Sequence, residues 1–193
     1  MVTGRRALGW SAGLLAVYGL VRLVPGSRGI GAGWMVGHLA LFAALALLGV
    51  GLGELARLGG GRGVWGRIWR DLGWAGIAAS LVQTGIDLYV GAVARNVADR
   101  SELFDKVQSV PGVMPVVYTV VPMLVYVGLL GLLVRAVLAG AAPWWSAALV
   151  LVGTVVMGAS LDFLAVGAVL YGLAFRPVIT GGHKGPRAVP SGA

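Results

Sequence analysis

The chain has 193 residues, of which 58% are hydrophobic and only 11% charged, with a mean hydropathy of +0.89. A soluble domain carries about a quarter charged residues, so this composition specifies an integral membrane protein. The absence of cysteine excludes disulfides, thiolate catalysis and thiolate metal sites, and the formal charge of +8 sits in short Arg-bearing segments rather than in a basic stripe with interleaved aromatics, so no nucleic-acid partner is expected.

Five apolar runs are long enough to cross a hydrocarbon core, which takes about 20 helical residues: 7–24, 34–55, 72–94, 115–138 and 144–175. They are continuous rather than alternating, so each satisfies its backbone within a helix, and the fold expected is an all-α polytopic transmembrane bundle forming one domain over residues 1–175. The first run follows Arg5 and Arg6, exceeds the length of a signal-peptide core, contains Arg22 and has no A-x-A site behind it. It is read as an uncleaved span. Small residues spaced four apart at Gly9/Gly13, Gly49/Gly53, Ala75/Ala79 and Ala168/Gly172 suggest close helix contacts.

Between the second and third runs, Arg57, Arg62, Arg67 and Arg70 face only Glu54 and Asp71. The connection after the third run balances Arg95, Arg100 and Lys106 with Asp99, Glu102 and Asp105. Short Arg-rich loops stay cytoplasmic, which places residues 56–71 and the N-terminus inside and residues 95–114 outside. The G-x-G-x-x-G match from Gly61 to Gly66 has no strand before it and is accidental. Trp65, Ile68, Trp69 and Leu72 instead fall at i, i+3, i+4 and i+7, one apolar face suited to the start of an interfacial helix. In the outer connection, Asp99 and Glu102 suggest a capping box, and Leu103, Phe104 and Val107 an apolar face, for a short helix over the outer mouth.

The last run, at about 32 residues, is long for one upright helix and short for two. The expectation is one tilted helix, five spans in all, with the tail outside, against the positive-inside rule. The alternative is six spans, with a hairpin turning near "GASLDF". Residues 176–193 have no periodicity and many helix breakers, and are read as a disordered tail.

Polar residues inside the runs converge on one depth. Asp87 lies roughly 22 Å above Leu72 and His38 about 6 Å below the outer boundary, at about 1.5 Å per residue. The same count brings Arg22, Tyr118 and Asp162 to the outer layer, with Gln83 one turn below Asp87. An ionised Asp at such a depth costs about 2.5–3.5 kcal/mol on insertion scales, so Asp87 calls for a partner across the bundle: Arg22, His38 or Tyr118. The six residues form a candidate ligand-binding layer. Taken singly they also have plainer readings, since Arg22 can snorkel to the interface and Tyr118 can belong to an aromatic belt. His38 with the acids Asp87 and Asp162 is a donor set that suits zinc, iron or manganese, but their spacing in sequence points to no metal site and one intramembrane His is too few for a haem, so no cofactor is assigned, and no acid pair or Ser-His-Asp spacing points to a reaction.

The His at the head of an Ala/Leu-rich second span, the fourth-span ending "GLLGLLVRAVLAG", the following "APWWSAALVLVG" and thirteen Arg against two Lys resemble the uncharacterised small, Ala/Gly/Arg-rich multi-span membrane proteins of high-GC actinobacteria. The resemblance implies a multi-pass protein of the cell membrane and no catalytic residue. Two functions remain open: an accessory or scaffolding subunit, in contact with membrane lipids and with a second copy or a partner membrane protein, or a small-ligand or ion-binding protein with an outer-facing polar pocket. The first is preferred on sequence grounds.

Overall fold

The structure, a computed structural model, describes residues 3–60 and 63–181. Seven α-helices follow in chain order: α1 (Gly4–Leu23), α2 (Ala32–Leu58), α3 (Val64–Val93), α4 (Val97–Gln108), α5 (Val120–Leu138), α6 (Trp144–Ala159) and α7 (Leu164–Thr180). A π-helical turn, Met114–Thr119, leads into α5 and a 3₁₀ turn, Leu161–Phe163, leads into α7. There is no strand among the described residues. Among the described residues, four helical stretches are long and apolar enough to cross a membrane: Ala32–Leu58, Val64–Val93, Met114–Leu138 and Leu161–Thr180; Trp144–Ala159 is apolar but shorter, and α1, expected as the first span, is not one of the four.

All helices but α4 close into a ring, in which α1 packs on α2, α2 on α3, α3 on α5, α5 on α6, α6 on α7 and α7 back on α1. The start of α1 and the ends of α2 and α7 share one end of this ring. There Arg5 pairs with Glu54 at 3.0 Å, and a Cβ on Gly181 would sit 2.8 Å from the Arg5 guanidinium. The end of α5 joins them, because Arg135 donates to the Gly59 carbonyl at 3.0 Å. We call this the terminal end and the opposite one the α4 end.

The last apolar run corrects the expectation of one tilted helix. Residues 144–175 are two helices packed antiparallel, with the turn where the six-span alternative puts it. The chain becomes extended at Ser160 (φ −158°, ψ 137°), whose hydroxyl accepts from the Asp162 N–H at 3.2 Å and so starts the next helix. A continuous helix of 32 residues would run about 48 Å, far beyond a hydrocarbon core of about 30 Å. Folding back instead buries Tyr171 and Phe175, and brings Gly153 against Gly167 so closely that a Cβ on either would meet the other's carbonyl oxygen at about 3 Å (3.2 and 2.9 Å).

Two further expectations are revised. The helical structure does not stop at Phe175: α7 runs through Pro177 to Thr180, because Val178 is buried and Ile179 packs on the Gly9 position of α1. The rest of the expected tail, residues 182–193, lies outside the described residues, as do Gly61 and Arg62. The tightest helix contacts also fall elsewhere than the small-residue pairs in the sequence suggest. Gly13 and Gly53 have open space where a side chain would go, whereas α3 and α5 touch through Gly73 and Gly128, backbone on backbone. Spacing alone finds small residues but not the face that meets a partner.

Candidate functional site

The ring encloses a cavity of about 270 Å³. Every ring helix contributes to its wall, through Tyr18 of α1, Leu45 of α2, Asp87 of α3, Tyr126 of α5, Met157 of α6 and Tyr171 of α7. Gln83 and Tyr118 complete the polar side, and the wall runs up to Leu161 at the α4 end, where that side chain is half exposed. Tyr118 is carried by the π-helical turn, a widening of the helix that recurs at functional sites because it redirects one side chain. Its hydroxyl is buried without a hydrogen-bond partner among the described residues. Deeper on α3, Thr84 returns its hydroxyl to the Ser80 carbonyl at 2.8 Å, so that polar group is satisfied by its own helix.

Asp87 faces the bundle interior. Its Oδ2 lies 3.8 Å from Nε2 of His38, and both side chains are largely buried. His38 is held by its other nitrogen, Nδ1, which lies 2.8 Å from the Trp34 carbonyl one turn earlier. A carbonyl only accepts, so Nδ1 carries the hydrogen and Nε2 is the nitrogen turned to the carboxylate. The Trp34 ring stacks on the imidazole at 4.0 Å, and its indole N–H donates to the Asp87 carbonyl at 3.0 Å. Gly91 makes this possible, since a Cβ there would run into the indole.

The six residues singled out by depth therefore divide. His38 and Asp87 form a pair, and Asp87, Gln83 and Tyr118 share the cavity wall. Arg22 and Asp162 face each other at the α4 end, 3.9 Å apart, the principal partner of Asp162 is Arg28, and both arginines share a small cleft with Trp34 and His38. Asp162 belongs to the turn between α6 and α7 and not to a span, because the helix that would have placed it at depth has already ended at Ala159. The layer thus holds two neighbouring pairs, His38 with Asp87 and Arg22 with Asp162.

Sequence reasoning missed the residues that tie this end together. Arg28 donates to the Arg22 carbonyl at 3.1 Å, and Arg100 of α4 donates to the Arg28 carbonyl at 2.8 Å. The same Arg100 lies over the Trp34 ring, 4.8 Å from its centroid, and Phe104 approaches that ring at 6.3 Å. The loop from α1 to α2 makes its turns at Gly26 and Gly31, both at positive φ (83° and 120°), where an L side chain would be strained. Helix α4 is capped by Asn96, which accepts from the Asp99 N–H at 2.9 Å, one turn earlier than the expected Asp99/Glu102 box. The Asp99 carboxyl is held below the usual carboxylate range by the side-chain hydrogen bond from Arg95, with that residue's backbone N–H adding to it.

No set of three or more His, Cys, Asp or Glu placed to hold a metal ion occurs among the described residues; the pocket offers one carboxylate with an imidazole behind it. Compared with known protein families, curated proteins and solved structures, the chain matches none.

Proposed function

We propose that this chain is a multi-pass protein of the cell membrane that binds a small molecule in the central pocket, entered from the outer side. The observation that carries the reading is the cavity itself. It is walled by all six ring helices, it is close in size to small-molecule sites (about 300–1,000 Å³), and a few polar groups converge in an otherwise apolar lining. A layer that only fixed helix register would be packed shut. Sequence grounds favour an accessory or scaffolding subunit; the pocket moves the reading to ligand binding.

Orientation follows from charge. At the terminal end lie Arg5, Arg6, Arg57, Arg67, Arg70, Arg135 and Arg176, against Glu54 and Asp71. At the α4 end lie Arg22, Arg28, Arg95, Arg100 and Lys106, five against the seven arginines of the terminal end. The positive-inside rule then puts the terminal end in the cytoplasm. If the less apolar α1 and the shorter α6 also cross, the start of α1 and the end of α7 lie on that same side, which removes the conflict that five spans create for Arg176. Trp10, Trp65 and Trp144, each well exposed, supply an aromatic belt on that side.

The test uses the absence of cysteine. In purified, detergent-solubilised protein, Gln83→Cys should react with methyl methanethiosulfonate far faster than Ile77→Cys, which is on the same helix but fully buried. Equal, slow reaction at both positions would defeat the reading.

A further inference from the structure

Resting on that reading, we propose that the pocket takes a small organic cation, an amine or quaternary ammonium with a short apolar body. Among the described residues, Asp87 is the one charged residue in the lining, which contains no Arg, Lys or His. An anionic ligand would therefore meet a like charge with nothing in the wall to offset it, in a site where low dielectric strengthens the repulsion. The partner Asp87 does have, His38, stands behind it outside the lining, and at 3.8 Å is beyond hydrogen-bond reach. The carboxylate thus keeps capacity for a positive group arriving from the cavity. Four tyrosine rings, Tyr18, Tyr118, Tyr126 and Tyr171, line the same space. Ring faces attract cations, most strongly where water is excluded, and aromatic walls beside a carboxylate are how ammonium groups are recognised. The aliphatic remainder, Leu41, Leu45 and Met157 among it, suits an apolar arm.

An ammonium group can arrive as a free amine or as a lipid headgroup. A choline lipid brings a phosphate beside its ammonium, and the wall has no cation to receive it. The free cation is therefore the expected source.

The experiment measures protection of Gln83→Cys from methyl methanethiosulfonate, an uncharged reagent whose approach Asp87 does not bias. Choline should slow labelling at least about tenfold at saturation, and its uncharged isostere 3,3-dimethylbutan-1-ol should change it by less than about twofold, given the size of a desolvated cation contact. Short-chain phosphatidylcholine should not protect. Adding Asp87→Asn should abolish the difference between choline and the alcohol, while Asp87→Glu should keep it. Equal protection by choline and the alcohol, or none by either, would overturn the cation assignment and leave the pocket standing. Protection by the phospholipid alone would overturn the free-cation source. Failure of Gln83→Cys to label at all would instead remove the pocket reading on which the proposal rests. Should Asp87→Asn fail to fold, the choline and alcohol pair, with Asp87→Glu, decides the matter.

Discussion

Trp34 is the residue through which α2, α3 and α4 are joined, and removing it should be felt in all three. Its indole N–H bond to the Asp87 carbonyl is worth about 1 kcal/mol. Stacking on His38 adds about 0.5–1.5 kcal/mol, and the Arg100 contact about 0.5–1 kcal/mol at its exposed position. Trp34→Phe keeps most of the stacking and loses the N–H bond, so it should cost about 1 kcal/mol. Trp34→Ala loses all three and leaves space above Gly91, for a cost of about 3 kcal/mol. At about 2–4 °C per kcal/mol for a chain of this size, detergent-solubilised protein heated at one fixed scan rate should melt about 2–4 °C lower for Trp34→Phe and about 6–12 °C lower for Trp34→Ala. Hydrogen exchange should localise the damage. In Trp34→Ala the amides of α4 should lose protection first, since Arg100 and Phe104 both reach that ring. A melting temperature within about 1 °C of the parent, with α4 exchange unchanged, would refute the hub.

Gly128→Leu should destabilise by about 1–3 kcal/mol or prevent folding, because α3 and α5 meet there backbone to backbone, whereas Gly53→Leu, pointing into open space, should be tolerated in the same melting assay. Tyr171→Phe should cost about 1 kcal/mol or less by melting, since Thr154 loses its 2.6 Å partner but keeps its bond to the Val150 carbonyl. The cap of α4 has a defined pH response. Asp99 is held below its ordinary value by Arg95, so its contribution is complete above the usual carboxylate pKa of about 4 and is lost as pH falls through the lowered folded-state value. Exchange at the start of α4, referred to the intrinsic rate, should be flat from pH 7 to 5 and rise only below about 4, a dependence that Asp99→Asn should erase.

Much of the site was legible in the sequence because a carboxylate inside an apolar run is conspicuous, and a rise of about 1.5 Å per residue puts His38 and Asp87 at one depth. The same arithmetic brought Asp162 to the end where Arg22 lies, but assigned it to a span and not to a turn. It counted upward from Trp144 along a helix that ends at Ala159, and a single Ser160 cap was enough to reset the register. Trp34 marked only the start of the second run, since nothing in its neighbours shows that an indole N–H will find the carbonyl of a residue 53 positions away. Arg28 and Arg100 were hidden for the same reason, both being loop or surface arginines until the fold brings them together. The π-helical turn that carries Tyr118 has no compositional mark; Pro115 and Pro122 only show that the helix entry is irregular.

In the proposed function the central pocket opens toward the α4 end, where Leu161 of its wall is half exposed, and faces outward. Its most direct test is sidedness of labelling at Gln83→Cys, using a membrane-impermeant methanethiosulfonate reagent on intact cells and on inside-out vesicles, with Thr3→Cys as the control at the terminal end. The account predicts that Gln83→Cys labels in cells and not in inside-out vesicles, and that Thr3→Cys does the reverse. Reaction of Gln83→Cys from the cytoplasmic side alone, or of both positions from the same side, would contradict it.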